Sequence, residues 1–262
     1  MRLVKAHAYG NDFLLAEAGG LDAGRELPSL ARALCERHRG IGADGLIVFQ
    51  ETAGGADMQL LNADGSASEI SGNGIRCLAA CLAGRRRLAP GDAVTIETDA
   101  GRKRLELLGV DGAQATFRAA MGPPVDVRQQ RLDVEGRQVD VVTLRVGNPQ
   151  CVVLGESSPA RLQDLASRLA VHSAFPEGTN VELARVEAPD RVSILIWERG
   201  VGPTEASGTG ACAAAVAAAA YGGAARDVVV SAPGGAQRVE WRDDGLYLTG
   251  WAEVLAEITW LP

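Results

Sequence analysis

Two short segments combine a serine with two glycines directly before an apolar stretch. They are Ser71-Gly72-Asn73-Gly74 and Ser207-Gly208-Thr209-Gly210. Glycine at a helix start lets the backbone approach a ligand closely, and the free amides of the first turn attract anions. A serine there is also a common helix cap, worth about 1 kcal/mol. The repetition of the pattern favours a ligand role over capping alone. The candidates in these segments are Ser71, Gly72, Asn73, Ser207, Gly208 and Thr209.

Asparagines elsewhere in the chain can offer a ligand both hydrogen-bond donors and acceptors. Asparagine is also a common turn former. Asn11 and Asn148 each follow a glycine in two similar segments, which favours a ligand role for this pair. The asparagines outside the serine segments are Asn11, Asn62, Asn148 and Asn180.

A charged pair, Glu198-Arg199, follows the strand-like stretch Val192–Trp197 and precedes the second serine segment. Such a pair is compatible with a surface ion pair. A guanidinium also binds a carboxylate through two parallel hydrogen bonds. Arg199 is therefore a candidate for carboxylate recognition.

The chain repeats itself in a fixed order, at a nearly constant separation close to half its length. The first members are Gly10-Asn11, Gly42-Ala43-Asp44, Glu69-Ile70-Ser71-Gly72 and Arg104-Leu105-Glu106. Their counterparts are Gly147-Asn148, Gly178-Thr179-Asn180, Glu205-Ala206-Ser207-Gly208 and Arg238-Val239-Glu240. We infer two homologous halves, residues 1–118 and 119–262, divided in the segment 119–124, where Met121-Gly122-Pro123-Pro124 predicts a linker turn.

Strand-like stretches greatly outnumber helical ones, and few elements alternate as βαβ units. This pattern predicts an α/β (α+β) fold in which each half is a mainly antiparallel sheet wrapped around a central helix. The final strand, Val254–Trp260, could return to either half. The predicted helices are Leu27–His38, Gly74–Ala83, Leu162–Ala170 and Gly210–Tyr221.

A pseudo-symmetric site with one protic side chain in each half suits one kind of reaction. A proton is removed from one face of a stereocentre and returned to the other, which needs two acid/base groups and a preorganised field for the carbanion. No lysine is placed as a pyridoxal anchor and no Gly-x-Gly-x-x-Gly follows a strand. The predicted mechanism therefore uses no cofactor.

Composition narrows the class of protein. The chain is 47% apolar and 23% charged with a net charge of −7, which argues against nucleic-acid binding. The most apolar stretch, Ala211–Tyr221, is too short to span a bilayer, and no signal-peptide pattern opens the chain. The 5 cysteines lack metal-ligand spacing. We expect a cytoplasmic, reduced protein without a metal, a membrane or a nucleic-acid partner.

The motifs together resemble the diaminopimelate epimerase family over nearly the whole chain. The matching segments are Gly10-Asn11-Asp12-Phe13, Gly40-Ile41-Gly42-Ala43-Asp44-Gly45, Asn62-Ala63-Asp64-Gly65-Ser66, Ser71-Gly72-Asn73-Gly74-Ile75-Arg76-Cys77, Gly147-Asn148-Pro149, Glu198-Arg199-Gly200 and Ser207-Gly208-Thr209-Gly210-Ala211. The resemblance implies a site in the cleft between two halves, a small amino-acid substrate and a homodimer. It implies catalytic roles for Ser71, Ser207 and Glu198. It implies substrate binding by Asn11, Asp44, Asn62, Gly72, Asn73, Asn148, Gln150, Asn180, Glu198, Arg199, Gly208 and Thr209.

The chain departs from the family at its catalytic positions. The family uses two cysteines where this chain has Ser71 and Ser207, and usually a histidine where it has Gln150. A free thiol titrates near pH 8.5, whereas an alcohol lies nearer water's value of about 15.7. Since cysteine and serine are near-isosteric, binding should survive while proton abstraction suffers.

Two origins of the serines are compatible with the sequence: engineering of both thiols, favoured by the paired change, or natural divergence, favoured by Gln150. The expected activity is epimerisation of LL- to meso-diaminopimelate in lysine and cell-wall precursor biosynthesis, impaired by the serines. The alternatives are a related amino-acid racemase, a proline-racemase-type dehydratase, or a catalytically silent amino-acid-binding homologue. Recognition of a second amino-acid head group would separate diaminopimelate from a proline-like substrate.

Overall fold

A computed structural model of the chain describes residues 1–21, 24 and 26–261. The chain falls into two compact units. The first contains Met1–Ala119 and the chain from Gly250 onward, and the second contains Ala120–Thr249. The sequence left the position of the final strand open, and its residues from Gly250 onward are part of the first unit.

The first unit is a sheet with one helix enclosed by its strands. Its helices are α1 (Leu27–Cys35) and α2 (Gly72–Arg86), and a short 3-10 turn spans Ala18–Gly20. Its strands are β1 (Arg2–Ala8), β2 (Asn11–Glu17), β3 (Gly45–Thr52), β4 (Gly55–Asn62), β5 (Ala67–Ser68), β6 (Ala93–Glu97), β7 (Lys103–Asp111) and β8 (Gln114–Gly122).

The second unit has the same plan. Its helical segments are α3 (Pro159–Arg161), a π-helical stretch (Leu162–Ala166), α4 (Ser167–Ala170) and α5 (Gly208–Tyr221). Its strands are β9 (Val125–Val134), β10 (Arg137–Val146), β11 (Asn148–Leu154), β12 (Asn180–Ala188), β13 (Arg191–Glu198), β14 (Gly202–Thr204), β15 (Asp227–Ala232), β16 (Gly235–Arg242) and β17 (Gly245–Thr259), whose last residues belong to the first unit.

Strand pairing repeats between the units. From β1 through β2, β3, β4, β6, β7 and β8, successive pairs are antiparallel, parallel, antiparallel, parallel, antiparallel and antiparallel. From β10 through β11, β12, β13, β15, β16 and β17 the order of pair types is identical. The predicted class, a mainly antiparallel sheet around a helix in each half, is confirmed.

The central helices α2 and α5 are buried because apolar side chains surround them. Helix α2 packs against β1, β2, β4, β6 and β7, and Ile75, Cys77 and Leu78 are fully buried. Helix α5 packs against strands β10 to β13 and against β15 and β16, and its alanines from Ala211 to Ala218 are buried. A helix that is apolar on all sides is stable only in such a core.

Several predicted boundaries differ from the structure. Helix α2 is Gly72–Arg86 where Gly74–Ala83 was predicted, and α5 begins at Gly208 and not at Gly210. Helix α1 ends at Cys35 and not at His38. Strand β8 continues through the predicted linker as far as Gly122, and β9 begins at Val125. The linker is therefore the short Pro123-Pro124 link, since proline has no N–H to donate to a ladder. Strands β8, β9 and β12 lie outside the stretches that the sequence predicts as strands.

Candidate functional site

The two serines of the repeated motif are both helix N-caps. Ser71 Oγ accepts a hydrogen bond from the Gly74 N–H at 3.1 Å, and Ser207 Oγ accepts one from the Gly210 N–H at 3.2 Å. Both residues have extended backbone, with φ of −128° and −139°. Both serines therefore cap the helices that follow them. Each hydroxyl keeps its own proton as a donor while its oxygen faces the positive end of a helix.

The predicted residues of the first unit gather at one end of its sheet. Asn11 opens β2, and Asn62 closes β4, where it pairs with Gly45 at the start of β3. The Oδ1 atom of Asn11 is buried and has no hydrogen-bond partner among the described residues. Asn62 is exposed, and its Nδ2 donates to Ser66 Oγ at 2.9 Å within a turn. Asn11 therefore keeps an acceptor available for a ligand, whereas Asn62 also serves as a turn former.

Two other predicted residues of this unit accept hydrogen bonds from arginine side chains. Asn73 is buried at the start of α2, and its Oδ1 accepts a hydrogen bond from the fully buried Arg76. The guanidinium of Arg76 also lies over the Tyr9 ring, 5.6 Å from the ring centroid. The carboxylate of Asp44 accepts a hydrogen bond from Arg37 at 2.7 Å. Asn73 and Asp44 thus contribute to the framework of this end of the sheet.

In the second unit, Asn180 and Arg199 are linked. Asn180 is 8% exposed, and its Oδ1 accepts a hydrogen bond from the Arg199 N–H at 2.9 Å. The exposed Arg199 side chain donates to the Glu177 carbonyl at 2.8 Å. This leaves further guanidinium N–H groups directed to solvent for a carboxylate.

Gln150 lies at the centre of the polar residues of this unit. It is 1% exposed and pairs with Asn180 across β11 and β12. One terminal atom of its amide lies 3.0 and 3.3 Å from the two carboxyl oxygens of Glu182. The other lies 2.6 Å from Asn148 Oδ1, 3.1 Å from Thr209 Oγ1 and 3.3 Å from Asn180 Nδ2. The structure therefore brings Asn148, Gln150, Asn180 and Thr209 into one cluster.

Glu182 belongs to this cluster and was missed by the sequence analysis. It is fully buried, and burial together with the negative charge of Glu198 raises its pKa well above the ordinary value. A Cβ built on Gly210 would lie 2.6 Å from Glu182 Oε1 and 3.2 Å from Ser207 Cβ. The carboxyl group thus adjoins the second helix start. A signal was present in the sequence, since Glu182 follows the predicted Asn180 by two residues and therefore shares its face of the strand.

Glu198, predicted as catalytic, is half-buried at the end of β13. Its negative charge helps to raise the pKa of the buried Glu182. All 5 cysteines are buried and free, including Cys151, whose pKa is raised by burial and by Glu182. Within the described residues, no group of three or more His, Cys, Asp and Glu side chains is placed to hold a metal ion. No described helix is long and apolar enough to cross a membrane.

Sequence comparison gives a family match. A model described as diaminopimelate epimerase matches residues 3–127 and 142–255. The chain is similar to the diaminopimelate epimerase of Desulforudis audaxviator (strain MP104C), with 40% identity covering 100% of this chain and 99% of the relative. It is also similar to that of Desulfitobacterium hafniense (strain DSM 10664 / DCB-2), with 38% identity covering 95% and 94%.

Structural comparison supports the fold. A probable proline racemase from Agrobacterium radiobacter K84, with bound carbonate, superposes with a TM-score of 0.76 over 99% of this chain and 92% of that chain. The two sequences are 17% identical. At this identity the similarity establishes a shared fold only.

Proposed function

The chain belongs to the diaminopimelate epimerase family, and we propose that it binds LL-diaminopimelate and converts it to meso-diaminopimelate, at a rate strongly reduced by its two serines. The observation that carries the proposal is the family match along both units. The retained amide and guanidinium residues support it: Asn11, Asn62, Asn73, Asn148, Asn180 and Arg199.

The proposed reaction uses one acid/base position in each unit. One group removes the α-proton of the substrate while the other returns a proton to the opposite face, and helix-start amides stabilise the adjacent carboxylate. We assign the two positions to Ser71 and Ser207. Glu198 is assigned an electrostatic role beside the second position. We assign substrate contacts to the remaining predicted residues: Asp44, Gly72, Gln150, Gly208 and Thr209.

The serines limit the rate because an alcohol is a far weaker acid than a thiol. The difference between water-like and thiol pKa values, at 1.36 kcal/mol per unit, corresponds to about 10 kcal/mol for forming the anion. Gln150 adds to the loss, since an amide accepts no proton at neutral pH. Both hydroxyls retain the geometry of a polar contact, so binding of the amino acid is expected to persist.

Three further features are part of the proposal. The reaction needs no cofactor, since the two-base mechanism requires only acid/base groups. The protein is cytoplasmic, in keeping with five unpaired thiols. It acts as a homodimer in lysine and cell-wall precursor biosynthesis, as the family resemblance implies.

The test is hydrogen exchange in D2O. LL-diaminopimelate is incubated with the chain or with Ser71→Cys/Ser207→Cys, and loss of the α-proton and formation of the meso isomer are followed by NMR. We expect exchange in the double-cysteine variant and at least a thousandfold slower exchange in the unmodified chain, because an alcohol is about seven pKa units less acidic than a thiol. Ser158→Cys is the matched control, because Ser158 also caps a helix by accepting from a backbone N–H at 3.3 Å.

A folded double-cysteine variant that exchanges no α-proton would overturn the epimerase assignment. Comparable exchange in the unmodified chain would overturn the assigned effect of the serines. The second candidate, a catalytically silent binder, is favoured by the observation that both hydroxyls already accept a capping hydrogen bond. Calorimetric binding of LL-diaminopimelate to the unmodified chain, without any exchange of the α-proton, would support this second candidate.

A further inference from the structure

The Gln150 amide can occupy two orientations, and each suits a different charge on Glu182. With its nitrogen toward Glu182, at 3.0 and 3.3 Å, the amide donates to an ionised carboxylate. With its oxygen toward Glu182, it can accept a hydrogen bond only from a protonated carboxyl. Since Glu182 is fully buried and Gln150 is 1% exposed, water is not at hand to satisfy a mismatched orientation.

The hydrogen bonds of the other residues in the cluster depend on the orientation of the Gln150 amide. When Glu182 is ionised, the Gln150 oxygen accepts from Thr209 Oγ1 at 3.1 Å and from Asn180 Nδ2 at 3.3 Å, and the Asn148 amide, whose Oδ1 lies 2.6 Å away, must reverse to present its nitrogen. Asn180 is fixed in this orientation because its Oδ1 accepts from the Arg199 N–H. When Glu182 is protonated, the Gln150 nitrogen donates instead to Asn148 Oδ1 at 2.6 Å and to Thr209 Oγ1, and its contact with Asn180 Nδ2 at 3.3 Å is then a contact between two donors.

The Thr209 hydroxyl connects the Gln150 amide to Ser207, the N-cap residue of α5. Its hydroxyl lies 3.5 Å from Ser207 Oγ, and either oxygen can be the donor. If Thr209 donates to Gln150, it accepts from Ser207, whose proton then points away from a ligand. If Thr209 accepts from Gln150, it donates to Ser207, whose own proton is released toward a ligand.

We propose that Glu182 is a positioning residue whose protonation reverses the Gln150 amide and thereby decides, through Thr209, whether the Ser207 hydroxyl donates or accepts toward a ligand. The proton gained or lost by Glu182 is exchanged with bulk solvent in the net balance, and the hydroxyls and the amide only rotate, so no proton is transferred to Ser207. The hydrogen-bonding state of the Ser207 hydroxyl is thus set by Glu182, whose carboxyl adjoins the start of α5. The consequence for catalysis rests on the proposed function, but the hydrogen-bond reversal does not.

Among the residues that the structure describes, two titratable groups interact electrostatically with Glu182. Glu198 on β13 acts on it electrostatically, and Glu182 in turn acts on the Cys151 thiol on β11. The groups contributed by the start of α5 are Ser207 and Thr209, which do not titrate in the accessible range. A change in the Gln150 amide with pH therefore reports on Glu182, on Glu198 or on Cys151, and variants separate the three.

The test is an NMR titration of the labelled full chain, which needs no turnover. The Glu182 carboxyl carbon and the Gln150 side-chain NH₂ group are expected to shift with one shared midpoint, while the exposed Gln163 amide is unchanged. Glu182→Gln is expected to abolish the Gln150 shift, and Glu198→Gln and Cys151→Ser to preserve it. A Gln150 amide that does not respond when Glu182 titrates would overturn the proposal. Because the titration of the unmodified chain can by itself overturn the proposal, the test remains valid if Glu182→Gln does not fold.

The proposed effect of Thr209 on the Ser207 hydroxyl is tested by following the NMR signal of Ser207. Its Cβ carbon is expected to shift with the same midpoint as Gln150. Thr209→Val removes the connecting hydroxyl and is expected to abolish most of the Ser207 shift while the Gln150 shift remains. An undiminished Ser207 shift in Thr209→Val would show that Glu182 acts directly through space and would overturn the assigned route. Because substrate is absent, these outcomes stand apart from any failure of the epimerase assignment.

Discussion

Asp12 and Asp44 each accept a hydrogen bond from the other's backbone N–H, both at 3.1 Å. The two carboxylates share Arg37, and Lys5 lies 3.0 Å from Asp12. This reciprocal contact joins the start of β2 to the residue before β3, where the candidate residues of the first unit gather. Burial would raise the pKa of Asp12, but hydrogen bonds from Lys5 and Arg37 outweigh it and lower the pKa below its ordinary range.

Replacing Asp12 by Asn should weaken the first unit. The variant is expected to lose about 1–3 kcal/mol of unfolding free energy at neutral pH, because hydrogen bonds to a charged group are removed. A lowered folded-state pKa contributes stability above the unfolded value of about 3.9, and this contribution is lost as pH falls through the folded value. Urea unfolding should therefore show a smaller difference in acid. The exposed Asp57→Asn is the control, and an equal loss there would contradict the expectation.

The capping contacts predict different effects for two small substitutions at Ser71. Ser71→Ala should cost about 0.5–2 kcal/mol of stability, whereas Ser71→Gly should cost only a few tenths, because glycine is itself an acceptable N-cap. Thermal or urea unfolding measures both. Ser231→Ala, at an exposed position in β15, serves as the reference. Equal losses for alanine and glycine would show that the hydroxyl does not cap the helix in solution.

Glycines in the two central helices should respond oppositely to alanine. Gly210→Ala places a methyl 2.6 Å from Glu182 Oε1 and should destabilise by about 1–3 kcal/mol through overpacking. Gly84→Ala meets nothing within 4 Å and should stabilise by up to about 1 kcal/mol, since alanine is the better helix former. Denaturant midpoints of the two variants provide the comparison. A neutral Gly210→Ala would mean that the carboxyl of Glu182 moves aside freely.

Glu182 should make stability depend on pH in the direction opposite to Asp12. Its folded pKa is raised, so above the unfolded value of about 4.3 the unfolded chain releases a proton that the folded chain retains. Stability then falls by up to about 1.4 kcal/mol per pH unit until the folded pKa is reached. Glu182→Gln should flatten this slope in urea unfolding measured across pH. Glu187→Gln, exposed on the same strand, should leave the slope unchanged.

Arg199 should contribute to affinity through its geometry as well as its charge. Arg199→Lys keeps the charge but loses the planar pair of donors, and should weaken binding of LL-diaminopimelate by about tenfold, on the order of 1.4 kcal/mol. Isothermal titration calorimetry measures the change. Arg185→Lys, exposed on β12, is the matched control. An unchanged affinity in Arg199→Lys would exclude bidentate carboxylate recognition by this residue.

The sequence by itself determined the duplication, the two capped helix starts and the class of fold. Each depends on local rules: Ser-Gly-x-Gly sets a cap and a close backbone approach within a few residues, and alternating apolar residues set strands. The family resemblance rests on the same motifs, so it too could be read without a structure. Ser71 and Ser207 were found this way, as were Asn180 and Arg199.

Only the tertiary structure identified Glu182. Its burial and its contact with Gln150 arise because β11 and β12 pair in parallel, although a helical segment separates them in the chain. The pairing places the two side chains together where water is excluded, and burial there raises the pKa of the Glu182 carboxyl. Two further features also depend on contacts between segments that are distant in the chain. One is the packing of the final strand in the first unit, and the other is the contact between Asp12 and Asp44. Local pattern specifies elements, but contacts between distant segments decide which polar groups share a buried environment.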